Sequence, residues 1–188
     1  MYPNNRIKIK RRGIAIITAT IRQCTSDDAG LICSLGMTTF RDTFAADNSQ
    51  ENMEDYLLHS FSSELIKSQL SEPESVFLLA SVDCTPAAYM QLNTGKAQTE
   101  QFGDTSIEIE RLYVLSDFKR QGLGTLLVNQ AFERARNQRL SKIWLGVWEH
   151  NEPAQRFYQA MGFVRTGEHT FTLGADIQTD WIMTAAIN

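Results

Sequence analysis

The chain has 188 residues, enough for one well-buried core and short for two domains of ordinary size. With 43% hydrophobic and 21% charged residues it has the composition of a globular protein, which excludes a disordered or fibrous chain. The net charge of −4 is unevenly spread: Arg6, Lys8, Lys10, Arg11 and Arg12 lie in a segment without acids, and setting them aside leaves about −9 on the rest, which argues against a nucleic-acid partner and is compatible with a cationic substrate.

Cys24, Cys33 and Cys84 show neither CxxC spacing nor a nearby histidine pair, and they are read as reduced, buried and structural. His59, His150 and His169 lack the three- or four-residue spacing of a helical ligand pair, so no metal is predicted. The basic start followed by apolar residues 13–17 imitates a secretory signal, but that stretch is brief and runs into a strand. No run approaches the ~20 apolar residues of a membrane span, and a cytoplasmic location without a membrane partner is the expectation.

In chain order, residues 18–23 have β-branched, alternating character and read as a strand; Thr25 or Ser26 before Asp27 and Asp28 then starts a helix through Leu31, Leu35 and Met37 toward Phe44. A second helix opens near Ser49 and carries Met53, Tyr56, Leu57 and Phe61; a third covers residues 65–70. Asp42, Asp47, Glu51, Glu54 and Asp55 either attract a polycation or form a solvated helix face. Residues 76–80 are an apolar run, 83–86 a turn and 87–92 the returning strand of a hairpin. Residues 93–104 read as a polar connection, 106–114 as a strand, 122–137 as a helix, 143–147 as a strand and 152–160 as a helix, with strands near Phe163 and Trp181. Without a repeat or linker this is one mixed α/β unit over residues 18–188, preceded by a basic extension, 1–17.

The stretch Ile109-Glu110-Arg111-Leu112-Tyr113-Val114 followed by Lys119-Arg120-Gln121-Gly122-Leu123-Gly124-Thr125 is a strand feeding a basic, glycine-containing loop that opens a helix. Glycines let the backbone approach a ligand, and first-turn N–H groups with the helix dipole favour anionic oxygens. Lys119 and Arg120 add full charge there, while Leu123, Leu127, Ala131 and Ala135 give the helix a side to pack on the sheet. Leu127 stands where a dinucleotide fingerprint needs its third glycine, and no GxxxxGK segment exists. The loop is therefore a pyrophosphate site of another design, or a tight turn before a packed helix.

Further on, Asn151 suits a helix start, Pro153 its first turn and Gly162 its stop. Tyr158, seven residues after Asn151, faces the same cleft as Asn151, whereas Phe157, about 100° round the helix, enters the core. The two blocks together resemble the GNAT acetyltransferases, whose pattern is Q/R-x-x-G-x-G/A and later NxxAxxFYxxxGF. Gly122 and Gly124 match the first; Asn151, Ala154, Phe157, Tyr158, Gly162 and Phe163 match the second; Lys119 departs from the Q/R position. The likeness extends from about Thr18 and looks closer still to bacterial spermidine/spermine N-acetyltransferases of the PaiA type, through residues 39–44, 51–53, 107–111, 143–149 and 178–180.

That resemblance implies a mostly antiparallel sheet of six to seven strands flanked by helices, with the fourth strand splayed from the fifth. It implies acetyl-CoA as cofactor, its pantetheine arm along the backbone of Leu112, Tyr113 and Val114 and its pyrophosphate on Lys119, Arg120, Gln121, Gly122, Leu123, Gly124 and Thr125. Asn151, Pro153, Ala154 and Tyr158 line the other side. Tyr158 is the candidate general acid; Glu110, directly or through water, is the candidate base with Glu108 second, since these two lie two apart on a strand and share a face, the alternative being that they form a solvated outer face. The implied acceptor is a small amine, foremost a polyamine. An enzyme for peptide N-termini or other amines, and a non-catalytic acetyl-CoA-binding regulator, are the alternatives, and a homodimer is left open.

Overall fold

The computed structural model describes residues 5–11, 14–100, 102–174 and 176–187, with side chains from Thr18 onward. In chain order it contains β1 (Asn5–Arg11), β2 (Ile14–Gln23), α1 (Ala29–Phe44), α2 (Gln50–Ser60), α3 (Ser63–Ser71), β3 (Ser75–Val82), β4 (Thr85–Thr94), β5 (Ser106–Val114), α4 (Leu123–Asn137), β6 (Lys142–Trp148), α5 (Glu152–Ala160), β7 (Val164–Leu173) and β8 (Asp176–Ala186). Local chemistry sets these boundaries. Ser49 and Ser62 cap α2 and α3 by accepting the N–H groups of Asn52 and Leu65. A Thr25/Asp28 capping box opens a short 3-10 turn ahead of α1.

The strands form one eight-stranded sheet in the order β1-β2-β3-β4-β5-β6-β8-β7. Every neighbouring pair is antiparallel except β5 and β6. Seven of the strands run from β2 onward, as expected; the eighth, β1, falls inside the segment read as an extension and pairs with β2 from Asn5↔Ile21 to Arg11↔Ile14.

The sheet buries both faces. On one, α4 lays Leu123, Leu127, Val128, Ala131 and Ala135 on Ile107 and Ile109 of β5, Ile143, Leu145 and Val147 of β6, and Met183 of β8. On the other, Ile32 and Leu35 of α1 and Ile66 of α3 meet Phe77, Leu79 and Tyr89, while Phe40, Met53, Leu57 and Phe61 gather with Leu173. A strand alternates faces strictly unless a residue is inserted, and β5 has such an insertion: Gln91 opposes Arg111 but Leu92 opposes Ile109, so Glu110 is the extra residue of a β-bulge. The phase of the strand changes there. Ile107 and Ile109 face α4, and so do Leu112 and Val114, whereas Tyr113 joins the aromatic clusters under α1 and α2.

Two expectations are corrected. Strand β4 runs on through Asn93 and Thr94, which the sequence put in the connection, because Asn93 finds buried partners that offset the cost of enclosing its amide. Of the three thiols only Cys24 is buried; Cys33 is half-buried and Cys84 exposed, on a hairpin turn where Asp83 and Cys84 both take positive φ. Among the described residues no helix is long and apolar enough to cross a membrane.

Because α4 must hold both its own loop and the face of β5, its contact residues are sensitive to truncation. Leu127→Ala, at a fully buried position, lowers the unfolding free energy by about 3 kcal/mol in urea titration; a loss below about 1 kcal/mol contradicts the packing described.

Candidate active site

The parallel strands β5 and β6 pair only at Ser106↔Lys142, Ile107↔Ile143 and Glu108↔Trp144. Both continue past this point, to Val114 and Trp148, without pairing each other. Among the described residues one edge of β5 beyond Glu108 is thereby left without a neighbouring strand, and free edge N–H and C=O groups are what an extended ligand pairs with. Each strand feeds a helix that starts at the mouth of the gap, α4 from β5 and α5 from β6. A crevice beyond the carboxyl ends of parting strands is where α/β sheets bind ligands.

The entrance to α4 is built for an anion. Gly122 is its N-cap at φ 87°, without a side-chain cap, and Arg120 has φ 59°. Only glycine takes the Gly122 conformation at little cost. The first bond closing the helix runs from Leu126 N–H to Gly122 O at 3.0 Å; among the described residues no N–H from Arg120 to Thr125 donates to a protein acceptor. These amides and the positive end of the helix lie in one turn with the exposed Lys119 and Arg120. Gln121 Nε2 donates to Asp117 O at 2.8 Å and braces the loop. Leu123 is buried, so only its backbone is open to the turn.

The second helix meets the first at Gly124, where an added Cβ would lie 3.2 Å from the Phe157 ring. Asn151 caps α5, its Oδ1 accepting Ala154 N–H at 3.2 Å, so that oxygen serves the helix start. Pro153 is exposed in the first turn and Ala154 half-buried against the core. Gln155, which the sequence reading passed over, is buried and donates to Trp148 O and Glu149 O, tying α5 to the end of β6. The expected division of Phe157 and Tyr158 is corrected: Phe157 is half-buried on Gly124, while Tyr158 is the deeper, 8% exposed between the Phe157 and Phe163 rings. A short helix packed this tightly against α4 encloses both rings. Among the described residues Tyr158 Oη makes no protein hydrogen bond, and the sealed polar atoms without a partner include Tyr89 Oη, Gln91 Oε1, His169 Nε2 and Asp180 Oδ1. Burial alone raises the Tyr158 pKa above the usual tyrosine value, so the phenol stays protonated.

On the face under α1 and α2 the bulge gathers charge. Glu108, 2% exposed, accepts from Thr99 N–H at 2.9 Å, from the Thr99 hydroxyl and from Asn93 Nδ2. Glu110 accepts from Asn93 Nδ2 at 2.5 Å and lies 3.5 Å from the Arg111 guanidinium. Arg111 is fixed by Ser60 O and Gln69 Oε1 and lies over the Phe61 ring. Burial pushes the Glu108 carboxyl up to about 7, against the pull of its Thr99 and Asn93 donors. Tyr56 stacks on Phe40 and meets Phe171, and Phe44 meets Trp148, so α1, α2, β6 and β7 close over this face. Asp180 of β8 contributes a further carboxylate beside His169, whose pKa is raised chiefly by that neighbour. The acids Asp42, Asp47, Glu51, Glu54 and Asp55 all have exposed positions.

Residues 37–163 match the sequence profile of the acetyltransferase (GNAT) family. The chain belongs to that family. An uncharacterized N-acetyltransferase of Lactobacillus delbrueckii subsp. lactis is 38% identical over 167 residues, 89% of this chain and 96% of that protein. One of Mycobacterium tuberculosis is 28% identical over 83% of this chain and 96% of its own length. Among solved structures, the PaiA N-acetyltransferase from Thermoplasma acidophilum in complex with coenzyme A superposes with a TM-score of 0.74 at 20% identity, covering 89% of this chain and 98% of that one. The ribosomal-protein-S18-alanine N-acetyltransferase from Escherichia coli gives 0.65 at 16% identity, over 90% and 94%.

This GNAT chain is an acetyl-CoA-dependent N-acetyltransferase. Its residues fit the cofactor: among the described residues, amides without a protein acceptor and the exposed Lys119 and Arg120 at α4 match a diphosphate, and the edge of β5 without a partner strand matches an extended arm carrying amides. Gly122→Ala forces an L side chain into the left-handed region at a cost of roughly 1–2 kcal/mol; coenzyme A binding measured by calorimetry weakens about tenfold, and Gly122→Asn, which tolerates that region better, weakens it less. Equal affinity in all three proteins would show that the turn does not hold the cofactor.

The buried acid has its own signature. A carboxyl raised from the usual 4.5 to about 7 favours the fold while protonated, so its contribution is complete below pH 4.5 and is lost as pH rises through 7. Glu108→Gln abolishes that loss: its stability relative to the native enzyme, followed by denaturant titration, rises between pH 4.5 and 7. A constant difference across that window contradicts a raised Glu108.

Proposed function

We propose that this enzyme transfers the acetyl group of acetyl-CoA to a primary amine of a polyamine such as spermidine or spermine. The observation that carries the reading is a pair of acids beside an aromatic wall: Tyr56 lies within electrostatic reach of both Glu110 and Asp180 and packs on Phe40 and Phe171, with Phe44 on Trp148 nearby. The cation of this face, Arg111, is held by Ser60, Gln69 and Glu110. Such a surface attracts amines through charge and packs their methylenes on rings. Fold likeness does not choose the acceptor, since neighbours of similar score include a PaiA protein and an alanine N-acetyltransferase acting on a ribosomal protein.

In this reading the backbone of Leu112, Tyr113 and Val114 pairs with the pantetheine arm. Lys119, Arg120, Gln121, Gly122, Leu123, Gly124 and Thr125 hold the pyrophosphate, and Asn151, Pro153, Ala154 and Tyr158 close the other side. Bound acetyl-CoA supplies an acetyl group activated as a thioester. A protonated amine cannot attack, so Glu110 takes its proton, directly or through a water. Tyr158, kept neutral by its apolar surroundings, holds a proton on Oη for the departing sulfur. Arg111 and Asn93 keep Glu110 extended along the face.

Tyr158→Phe lowers kcat on the order of a hundredfold with coenzyme A affinity unchanged; an undiminished kcat removes the phenol from the mechanism. Spermidine, spermine, amino acids and peptide N-termini are compared by release of free coenzyme A, and turnover of polyamines above the rest is expected. Activity confined to peptides would replace the polyamine reading by N-terminal acetylation, and cofactor binding without turnover of any amine would make the protein a regulator.

A further inference from the structure

Strand β6 leaves its last pairing with β5 at Trp144 and comes two residues later to Gly146. Ile143, Leu145 and Val147 pack under α4, so Trp144, Gly146 and Trp148 alternate onto the opposite face, under α1 and α2. Gly146 is exposed there, between two tryptophans. The space its side chain would fill is taken by others: an added Cβ would lie 2.8 Å from His169 Nε2 and 3.4 Å from Asp180 Oδ2. In the next row of the sheet Trp148 opposes Asp180, and Asp180 opposes His169. The imidazole therefore reaches from β7 past β8 to lie over β6, a reach that only glycine at 146 leaves open.

Two carboxylates flank the ring. Nδ1 lies 3.3 Å from Glu100 Oε1, at the end of a connection whose Gln98 and Thr99 bind Trp144 and Glu108. Nε2 lies 3.8 Å from Asp180 Oδ2, too far for a hydrogen bond, and both Nε2 and Asp180 Oδ1 are sealed without a hydrogen-bond partner. On the Asp180 side the contact is thus one of charge, and it lasts while the imidazole is protonated. Asp180 first, and Glu100 after it, keep the ring charged above the usual histidine range, against the effect of burial.

We infer that His169 is a specificity-determining residue: seated over Gly146, its imidazolium is a tethered cation that shields Asp180 from the second ammonium of an acceptor. For acceptor choice this rests on the polyamine reading; the shielding itself does not. While the ring is charged, Asp180 is neutralised in place. When the ring loses its proton, the carboxylate beside Tyr56 acts on an acceptor with its full charge. Selection of polyamines over monoamines therefore strengthens as pH rises. The other groups on this side do not reproduce that change. Tyr56 of α2, which reaches Asp180, is raised further from neutral pH by burial, and Arg111, which faces Tyr56 from β5 with Glu110, stays charged. Glu168 opposes Trp181 on the other face, where Arg165 holds it at 2.7 Å, and Gly146 gives β6 no charge at this point.

The test compares kcat/KM for spermidine with that for butylamine, which has one amine, from about pH 6 to about pH 8.5, across the range where histidine titrates. Their ratio cancels the base and the ionisation common to both amines. In the native enzyme it rises about fivefold with pH, the effect of one partly exposed ion pair. In His169→Gln it is high and flat, and in Asp180→Asn low and flat. Gly146→Ala sets a methyl where the ring lies; the nearest atoms opposing it are the ends of His169 and Asp180, so the ring gives way rather than the strand, and the ratio at low pH rises toward that of His169→Gln. Adding Gly146→Ala to His169→Gln changes the ratio no further. Thermal unfolding identifies the variants that remain folded. Imidazole NMR of the full chain, with His169→Gln assigning the signal, reads the pair without an acceptor: Asp180→Asn and Gly146→Ala both lower the His169 pKa. A native ratio that stays constant while His169 titrates overturns the inference, and so does a His169 pKa unmoved by Asp180→Asn. Turnover of peptides alone would instead overturn the polyamine reading and leave the shielding to be decided by the NMR titration.

Discussion

A parallel pair of strands that separates after three residue pairs has an edge whose backbone groups find no partner strand, and the rest of this molecule is arranged around that divergence. Strands β4 and β8 hold β5 and β6 on their outer sides, so the gap is part of a continuous sheet rather than a frayed end. Apolar packing holds it open: α4 clamps the start of both strands through Leu127 and Ala131, and Phe157 wedges α5 against Gly124 at the top. Both helices consequently begin after the strands part, and among the described residues the first-turn amides of α4 have no protein acceptor.

The β-bulge adds the second requirement. Without an inserted residue, β5 would present Arg111 and Tyr113 to α4 and Leu112 to the face under α1 and α2, exchanging an apolar contact for a buried charge. With Glu110 inserted, Leu112 and Val114 pack toward α4 while Glu108, Glu110, Arg111 and Tyr113 share the opposite face. Burying that many polar groups is tolerated only where each is satisfied, which explains the donors collected around them: Asn93, Thr99 and Ser75 on the acid side, Ser60 and Gln69 as acceptors for Arg111.

The elements that local chemistry writes were legible in the sequence. Strand β5 has the expected bounds, α5 likewise, and the turn at Gly122 and the caps at Ser49 and Asn151 lie where residue type demanded them. Features that depend on distant partners were not. Asn93 reads as a loop residue because an amide in a strand is satisfied only by side chains from β3 and β5, far away in sequence. The bulge is invisible because Glu110 and Glu108 share a face with or without it; its only trace is Arg111 beside Glu110 in an otherwise alternating strand. Tyr158 and Phe157 exchanged their expected depths since helical spacing gives direction around an axis and says nothing of how closely α4 approaches. Asp180 and His169 become a pair through the register of the β7–β8 hairpin, which places them directly opposite each other and which neither residue's own neighbours reveal.

The central claim is that the free edge of β5 and the open amides of α4 together receive the cofactor. Backbone amide hydrogen exchange, followed residue by residue with and without coenzyme A, tests it most directly. Protection on binding is predicted at residues 112–114 and 120–125, with little change on β2 and β3. Binding that leaves those amides as exposed as before, or that protects a different region, would contradict the account.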